Sequence, residues 1–313
     1  MVDPVRPIEF SDIEAARGRI AATVLRTPLV RFDDNIFLKL ENLQPTNAYK
    51  IRGAANAVAS LSDEARASGV WTVSAGNAGQ GVAYAARAFG IPCTVVAIET
   101  APQTKLERMR ALGATIVPVS YDTAWVACEA HAFEGMEGTF IHPFDNHDFI
   151  AGHGTMGLEI VEDCPDVRTV ICAIGGGGLI SGVGSAIKAL RPEAKVLGAE
   201  PETAAPYSLS LAEGGPRKFT DWQASFVDGA GGKSVTIRMW QRMRPVTDGT
   251  ITVTLHQTRD AMRLIAEKSR TIAEGAGALS LAAALAKDVE GPVVCVVSGG
   301  NIDLATFAEL VAA

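Results

Sequence analysis

The sequence predicts an α/β protein of two lobes, each with a mainly parallel sheet flanked by helices. Three observations lead there. Short β-branched runs alternate with alanine-rich stretches of helical period. An alternation of strand, helix and strand joins parallel strands through right-handed crossovers. The chain has 313 residues, more than one hydrophobic core usually spans.

The first series runs from a strand at Trp71–Ser74 through a helix around Val82–Arg87 to a strand at Cys93–Ile98, then a charged helical segment over Thr104–Leu112 and a strand at Thr115–Val119. The second opens with the strand Thr169–Ile174, continues in a helix from about Leu179 to Leu190, and returns as a strand at Lys195–Ala199. A last strand, Pro292–Val297, opens into Ser298-Gly299-Gly300-Asn301. This grouping sets a small mobile lobe over 69–148 and a large lobe combining 1–68 with 149–313. No internal repeat, low-complexity tract or long linker interrupts the pattern, and Glu213–Pro216 and Asp228–Lys233 are the expected soft stretches.

Composition narrows the function. Apolar residues make up 48% of the chain, without an uninterrupted apolar run long enough to cross a bilayer. The start, Met1-Val2-Asp3-Pro4-Val5-Arg6, has no basic segment followed by an apolar one, so a cytoplasmic protein without a signal peptide is expected. A net charge of -7 with no basic cluster argues against nucleic acid as partner. Cys93, Cys128, Cys164, Cys172 and Cys295 lack paired spacing and read as reduced packing thiols rather than disulfides or a zinc site. His131, His142, His147, His153 and His256 lack metal-ligand spacing and read as surface or capping groups, and Trp71, Trp125, Trp222 and Trp240 as core or interface.

Two local signals carry chemistry. Gly175, Gly176, Gly177 and Gly178 directly follow an apolar strand and precede a helix whose apolar positions are Leu179, Val183, Ile187 and Leu190. Glycines there let the backbone turn tightly and aim consecutive N–H groups and a helix dipole at an anion such as a phosphate. From Gly175 onward no register gives Gly-x-Gly-x-x-Gly and no Gly-Lys-Ser/Thr follows, which weakens dinucleotide and nucleoside triphosphate readings. The second signal is Lys50, flanked by Ala48-Tyr49 and Ile51. Apolar flanks favour partial burial, which lowers an amine pKa and eases Schiff-base formation. A nucleophilic amine and a phosphate cradle are what an enzyme needs to hold pyridoxal 5'-phosphate.

The chain resembles the fold-type II pyridoxal phosphate enzymes, of the tryptophan synthase β-like fold, and within them the serine/threonine dehydratase and serine racemase group. The resemblance rests on Lys39–Ala54, Ser74–Ala83, His142-Pro143-Phe144-Asp145, Gly152-His153-Gly154-Thr155, Gly175–Leu179 and Ser298-Gly299-Gly300-Asn301, six motifs in family order that span nearly the whole chain. It implies that Lys50 carries the cofactor as a Schiff base, with Tyr49 where the family usually has phenylalanine. It further implies that Asn77 donates to the cofactor's ring hydroxyl, and that Gly175, Gly176, Gly177, Gly178 and Leu179 supply N–H groups to the phosphate. Ser74, Ala75, Gly76, Asn77, Ala78 and Gln80 would form the loop that clasps the substrate carboxylate. Ser298 would hydrogen-bond the pyridine nitrogen, a contact that disfavours a long-lived carbanion and favours elimination. The implied reaction is α,β-elimination from an L-3-hydroxy amino acid (threonine, serine or a bulkier analogue such as phenylserine) to a 2-oxo acid and ammonia, in a homodimer or homotetramer. The large lobe would bind the cofactor and the small one close over substrate.

Departures from the family pattern refine this. Racemases of the group carry an acid/base serine where this chain has Ala75, so racemisation should be negligible. Ala78 stands in place of a usual histidine, which suggests room for a larger β-substituent, as in phenylserine dehydratases. Members with a divalent-cation site carry Glu, Ala and Asp in the segment resembling Glu200–Pro206; Pro206 offers no side-chain oxygen, so no required metal is expected. Only Ile302–Ala313 follow the last motif, and the regulatory domain of biosynthetic relatives is expected to be absent, which fits a degradative role. Two alternatives stay open: a β-replacement enzyme like cysteine synthase, which usually carries a Ser-Val-Lys-Asp-Arg type segment around its lysine, and a non-catalytic protein that binds an amino acid or stores the cofactor.

Overall fold

The computed structural model describes residues 4–312. Ten strands form two sheets among these residues: β1 Leu29–Arg31, β2 Ile36–Leu40, β3 Val70–Val73, β4 Cys93–Ile98, β5 Thr115–Val119, β6 Thr139–Phe140, β7 Thr169–Ala173, β8 Lys195–Pro201, β9 Gly249–Val253 and β10 Val293–Val297. The chain forms two compact units, one of 1–25 with 50–153, the other of 26–49 with 154–313. None of its described helices is long and apolar enough to cross a membrane.

The first unit holds a four-stranded sheet in the order β5-β4-β3-β6, every neighbouring pair parallel. Val95 and Val96 in its middle are fully buried, as the β-branched run around Cys93–Ile98 anticipates. Helices Lys50–Ala59 and Asn77–Phe89 belong to this unit, and Ala54, Val58, Val82 and Ala86 sit in its buried apolar core. Gly53 and Gly152 bring a third helix, His147–Asp163, close: a Cβ on Gly53 would lie 2.5 Å from the Phe149 carbonyl oxygen, and one on Gly152 would strike the Arg52 carbonyl oxygen.

The second unit holds a six-stranded sheet in the order β1-β2-β10-β7-β8-β9. Only the β1–β2 pair is antiparallel. Strand β7 is buried at every position and so is β10, the signature of parallel strands covered on both faces. Lys39 of β2 is fully buried, its Nζ 2.6 Å from a Glu159 carboxylate oxygen and 2.7 Å from the Thr27 carbonyl oxygen. All five cysteines are buried and unpaired. Asp228–Lys233 is not a loose tether: Ala230 is buried, and the Trp222 indole N–H donates to the Gly231 carbonyl at 2.9 Å.

Candidate active site

In the first unit, the adjacent strands β3 and β6 end at the two segments that matter. Past β6 lies His142-Pro143-Phe144-Asp145. The His142 ring organises that turn, since its Nδ1 accepts the backbone N–H of Phe144 at 3.2 Å and of Asp145 at 2.9 Å. With Nδ1 accepting, the ring proton of the neutral imidazole belongs on Nε2, 3.4 Å from the Cys128 sulfur. Burial pushes the Cys128 thiol up to about 12, so this pair is structural rather than a nucleophile.

The Pro143 carbonyl, which this turn aims, accepts a hydrogen bond from Lys50 Nζ at 2.7 Å. Lys50 opens the helix Lys50–Ala59 and is half-buried, with its Nζ 5.5 Å from the centre of the Phe149 ring. Burial lowers its amine to about 8. His153, expected at the surface or as a cap, is instead fully buried on the same side of Gly53 as Phe149. Burial, with Lys50 and Arg52 adding to it, keeps that imidazole neutral.

Past β3 lies the loop of Ser74, Ala75 and Gly76, all half-buried. The Ser74 hydroxyl accepts the Gly76 N–H at 3.1 Å, and helix Asn77–Phe89 starts directly after, with no side chain capping it. An uncapped first turn keeps backbone N–H groups available to an anion. Gln80 is 4% exposed and its Nε2 has no hydrogen-bond partner, a buried donor that a bound carboxylate could satisfy. Gly81 brings this helix against Lys50, where a Cβ would lie 3.2 Å from the Lys50 carbonyl oxygen. Ala78, in the first turn of this helix, is 4% exposed and belongs to the buried apolar core of this unit.

In the second unit, the neighbouring strands β2, β10 and β7 bring their carboxyl ends together, where ligands bind in open parallel sheets. Ser298 follows β10 directly; it is 4% exposed and its hydroxyl donates to the Ala276 carbonyl at 3.4 Å. The segment before Lys50 is laced to this end. Tyr49 N–H donates to the Ser298 carbonyl at 3.0 Å, Gly300 N–H to the Asn47 carbonyl at 2.9 Å, and the Asn301 side chain to the Thr46 carbonyl at 2.8 Å. Burial pushes the Tyr49 phenol up.

The glycine run lies past β7. Gly176 is exposed, Gly177 has φ +88°, and helix Gly178–Leu190 begins without a side-chain cap. A Cβ on Gly175 would lie 2.8 Å from the Gly229 carbonyl oxygen, and one on Gly177 would strike the Met243 sulfur. Leu179 is buried in the first turn of the helix. The result is a bare backbone cradle at the positive end of a helix. Each unit by itself carries groups that suit pyridoxal 5'-phosphate: the first an amine softened by burial, the second a bare backbone nest for a phosphate and a buried serine hydroxyl at a strand end.

Glu200, in the segment weighed as a cation site, is fully buried and acts as a cap for helix Pro206–Ala212. Its oxygens accept Tyr207 N–H at 2.9 Å, Ser208 N–H at 2.7 Å and the Ser208 hydroxyl at 2.6 Å. Burial raises its pKa to about 7.

Comparison with known proteins agrees with this chemistry. The family model described as pyridoxal-phosphate dependent enzyme matches residues 20–299. The chain is 41% identical over 308 residues to the L-threonine ammonia-lyase of Thermotoga maritima, covering 95% of this chain and 76% of that one. It is 35% identical over 323 residues to a catabolic L-threonine dehydratase of Staphylococcus aureus, covering 97% and 92%. Among solved structures, maize serine racemase superposes with a TM-score of 0.87 at 34% identity, covering 97% of both chains. The processed form of threonine deaminase isoform 2 from Solanum lycopersicum superposes at 0.83 with 29% identity, covering 100% of this chain and 96% of that one. The chain therefore belongs to the fold-type II pyridoxal-phosphate-dependent enzymes, in their serine/threonine dehydratase family, and is a pyridoxal-phosphate-dependent lyase.

Proposed function

We propose that this protein is an L-3-hydroxy amino acid dehydratase that works through Lys50, Asn77 and the Ser74–Gln80 loop, releasing a 2-oxo acid and ammonia. The observation that carries the reading is the Lys50 amine, lowered to about 8 by burial and held by the Pro143 carbonyl, in the same unit as an uncapped helix start. When bound, pyridoxal phosphate supplies the electron-withdrawing ring that acidifies the α-proton of an attached amino acid. Lys50 would hold the cofactor at rest and, as a free amine, would take that α-proton as general base. The N–H groups of the loop and the Gln80 amide hold the substrate carboxylate. Asn77 would orient the ring hydroxyl, the Gly175–Leu179 nest would anchor the phosphate, and Tyr49 would lie against the cofactor. The Ser298 hydroxyl would donate to the ring nitrogen without keeping it protonated, which disfavours a long-lived carbanion and favours prompt loss of the β-hydroxyl.

The relatives named for threonine make L-threonine and L-serine the first substrates to assay. Ala75 has no acid/base group to deliver a proton to the opposite face, so elimination rather than racemisation is the reading here, despite the likeness to a serine racemase. The test is ammonia and 2-oxo acid release from threonine, serine and phenylserine, with Lys50→Ala alongside. Loss of turnover by a factor of about a hundred or more is expected for the variant. Oxo acid formation at the wild-type rate by Lys50→Ala refutes the assignment, and a thioether product from a thiol co-substrate indicates β-replacement instead.

A further inference from the structure

A cavity of about 190 Å³ opens in the first unit between strands β3 and β4 and helix Tyr121–Ala130. Val73, Val96, Ala124, Trp125, Cys128 and Phe144 give it an almost wholly apolar wall. An apolar cavity of about 150 Å³ stays dry and accepts benzene. This one is larger, and three aromatic side chains, Tyr121, Trp125 and Phe144, line it.

Its rim is what ties it to the reaction. Ser74 and Ala75, the start of the carboxylate loop, line one side, and Pro143 lines another. The Pro143 carbonyl is the group that holds Lys50 Nζ, at 2.7 Å. A substrate with its carboxylate on the loop and its α-hydrogen facing the Lys50 amine has one substituent left to direct, the group on the β-carbon, and the apolar space adjoins both anchors. A methyl group would leave most of that space empty, whereas a phenyl ring would fill it. Ala78, the position whose small size first suggested a wide pocket, does not line the cavity. The room comes instead from Ala75 and Ala124.

We propose that this cavity is the side-chain specificity pocket and that the preferred substrate is a 3-aryl-3-hydroxy amino acid. The inference rests on the dehydratase reading above. The net reaction is balanced without an oxidant: the β C–O and α C–H bonds break, water leaves, and one water returns to release ammonia, giving a 3-aryl-2-oxo acid. Helix Tyr121–Ala130 is then the specificity element, with Trp125 as the aromatic wall for the ring.

The test compares kcat/KM for phenylserine, threonine and serine in the holoenzyme, and repeats it in Ala124→Leu, which fills the cavity from its helix side. Phenylserine is expected to lead by about tenfold to a hundredfold in the wild type. Ala124→Leu is expected to lower the ratio of phenylserine to threonine kcat/KM by about tenfold or more, and an unchanged ratio overturns the pocket. A variant-independent measurement guards against misfolding: inhibition of wild-type threonine turnover by L-phenylalanine against L-alanine, with phenylalanine expected to bind about tenfold tighter or better. Equal inhibition constants, or a wild type that prefers serine, overturn the pocket while leaving the dehydratase reading intact. Absence of ammonia release from every 3-hydroxy amino acid overturns the dehydratase reading itself.

Discussion

Raising the pH on the cofactor-free protein titrates the Lys50 amine, and its reactivity reports the environment that makes it a nucleophile. Burial lowers this amine from 10.5 to about 8. At pH 7 about one molecule in ten then carries a neutral amine, about 300-fold more than for a solvated lysine. Competitive acetylation, read as label on the Lys50 peptide by mass spectrometry, should rise tenfold per pH unit to about pH 8 and level off there. The displacement has a stability counterpart. A buried ammonium costs stability at any pH below 8, and the cost disappears as the pH rises from 8 through 10.5, where the amine is neutral folded and unfolded alike. For a fully buried group the displacement amounts to about 3 kcal/mol, an upper limit for this half-buried side chain. Lys50→Met removes that cost and leaves the Pro143 carbonyl without its donor, a loss of about 1 kcal/mol. The variant should therefore be more stable by at most about 2 kcal/mol near neutral pH and less stable than wild type above pH 10.5. Labelling that keeps climbing through pH 10, as for any exposed lysine, refutes the argument.

Gly177→Ala forces a side chain into φ +88° and onto the Met243 sulfur; about 1–2 kcal/mol of strain is expected, with weaker cofactor retention measured by equilibrium titration. Glu159→Gln removes the nearer of two carboxylates facing the fully buried Lys39, leaving Asp163 at 4.0 Å, and should cost at most about 3–5 kcal/mol in urea unfolding. Glu200, raised from 4.5 to about 7 by burial, ionises later folded than unfolded. Wild-type stability should accordingly fall as the pH rises from 4.5 through 7, by at most about 3 kcal/mol, and Glu200→Gln should flatten that slope. Because the Glu200 oxygens are spent on Tyr207 and Ser208, turnover should be unchanged after chelation, and strict Mg2+ or Ca2+ dependence would contradict the capping role.

The strands at Cys93–Ile98, Thr115–Val119, Thr169–Ala173, Lys195–Pro201 and Val293–Val297 are legible in the sequence because their hydrophobic content is local. Strands Ile36–Leu40 and Gly249–Val253 are not. The first contains Lys39, which reads as a surface charge until Glu159, 120 residues away, neutralises it. The second has exposed Thr252 between buried Ile251 and Val253 and begins at a glycine, so its apolar content is thin. The site divides along the same line. The glycine cradle is local, and Gly175–Gly178 lies where the sequence puts it, between strand and helix. Apolar neighbours correctly suggest that Lys50 is partly buried. What holds it is a carbonyl 93 residues on, aimed by a histidine ring that caps the turn as the sequence suggests, though no local pattern ties that turn to Lys50. His153 is interior because helices approach closely around Gly53 and Gly152, and no local pattern reveals that approach.

The central claim is that Lys50 is the amine that carries the cofactor. Hydride reduction of the holoprotein, followed by peptide mass mapping, tests it most directly. The pyridoxyl phosphate adduct is expected on the peptide containing Lys50 and on no other lysine. An active protein whose adduct maps elsewhere would contradict the account.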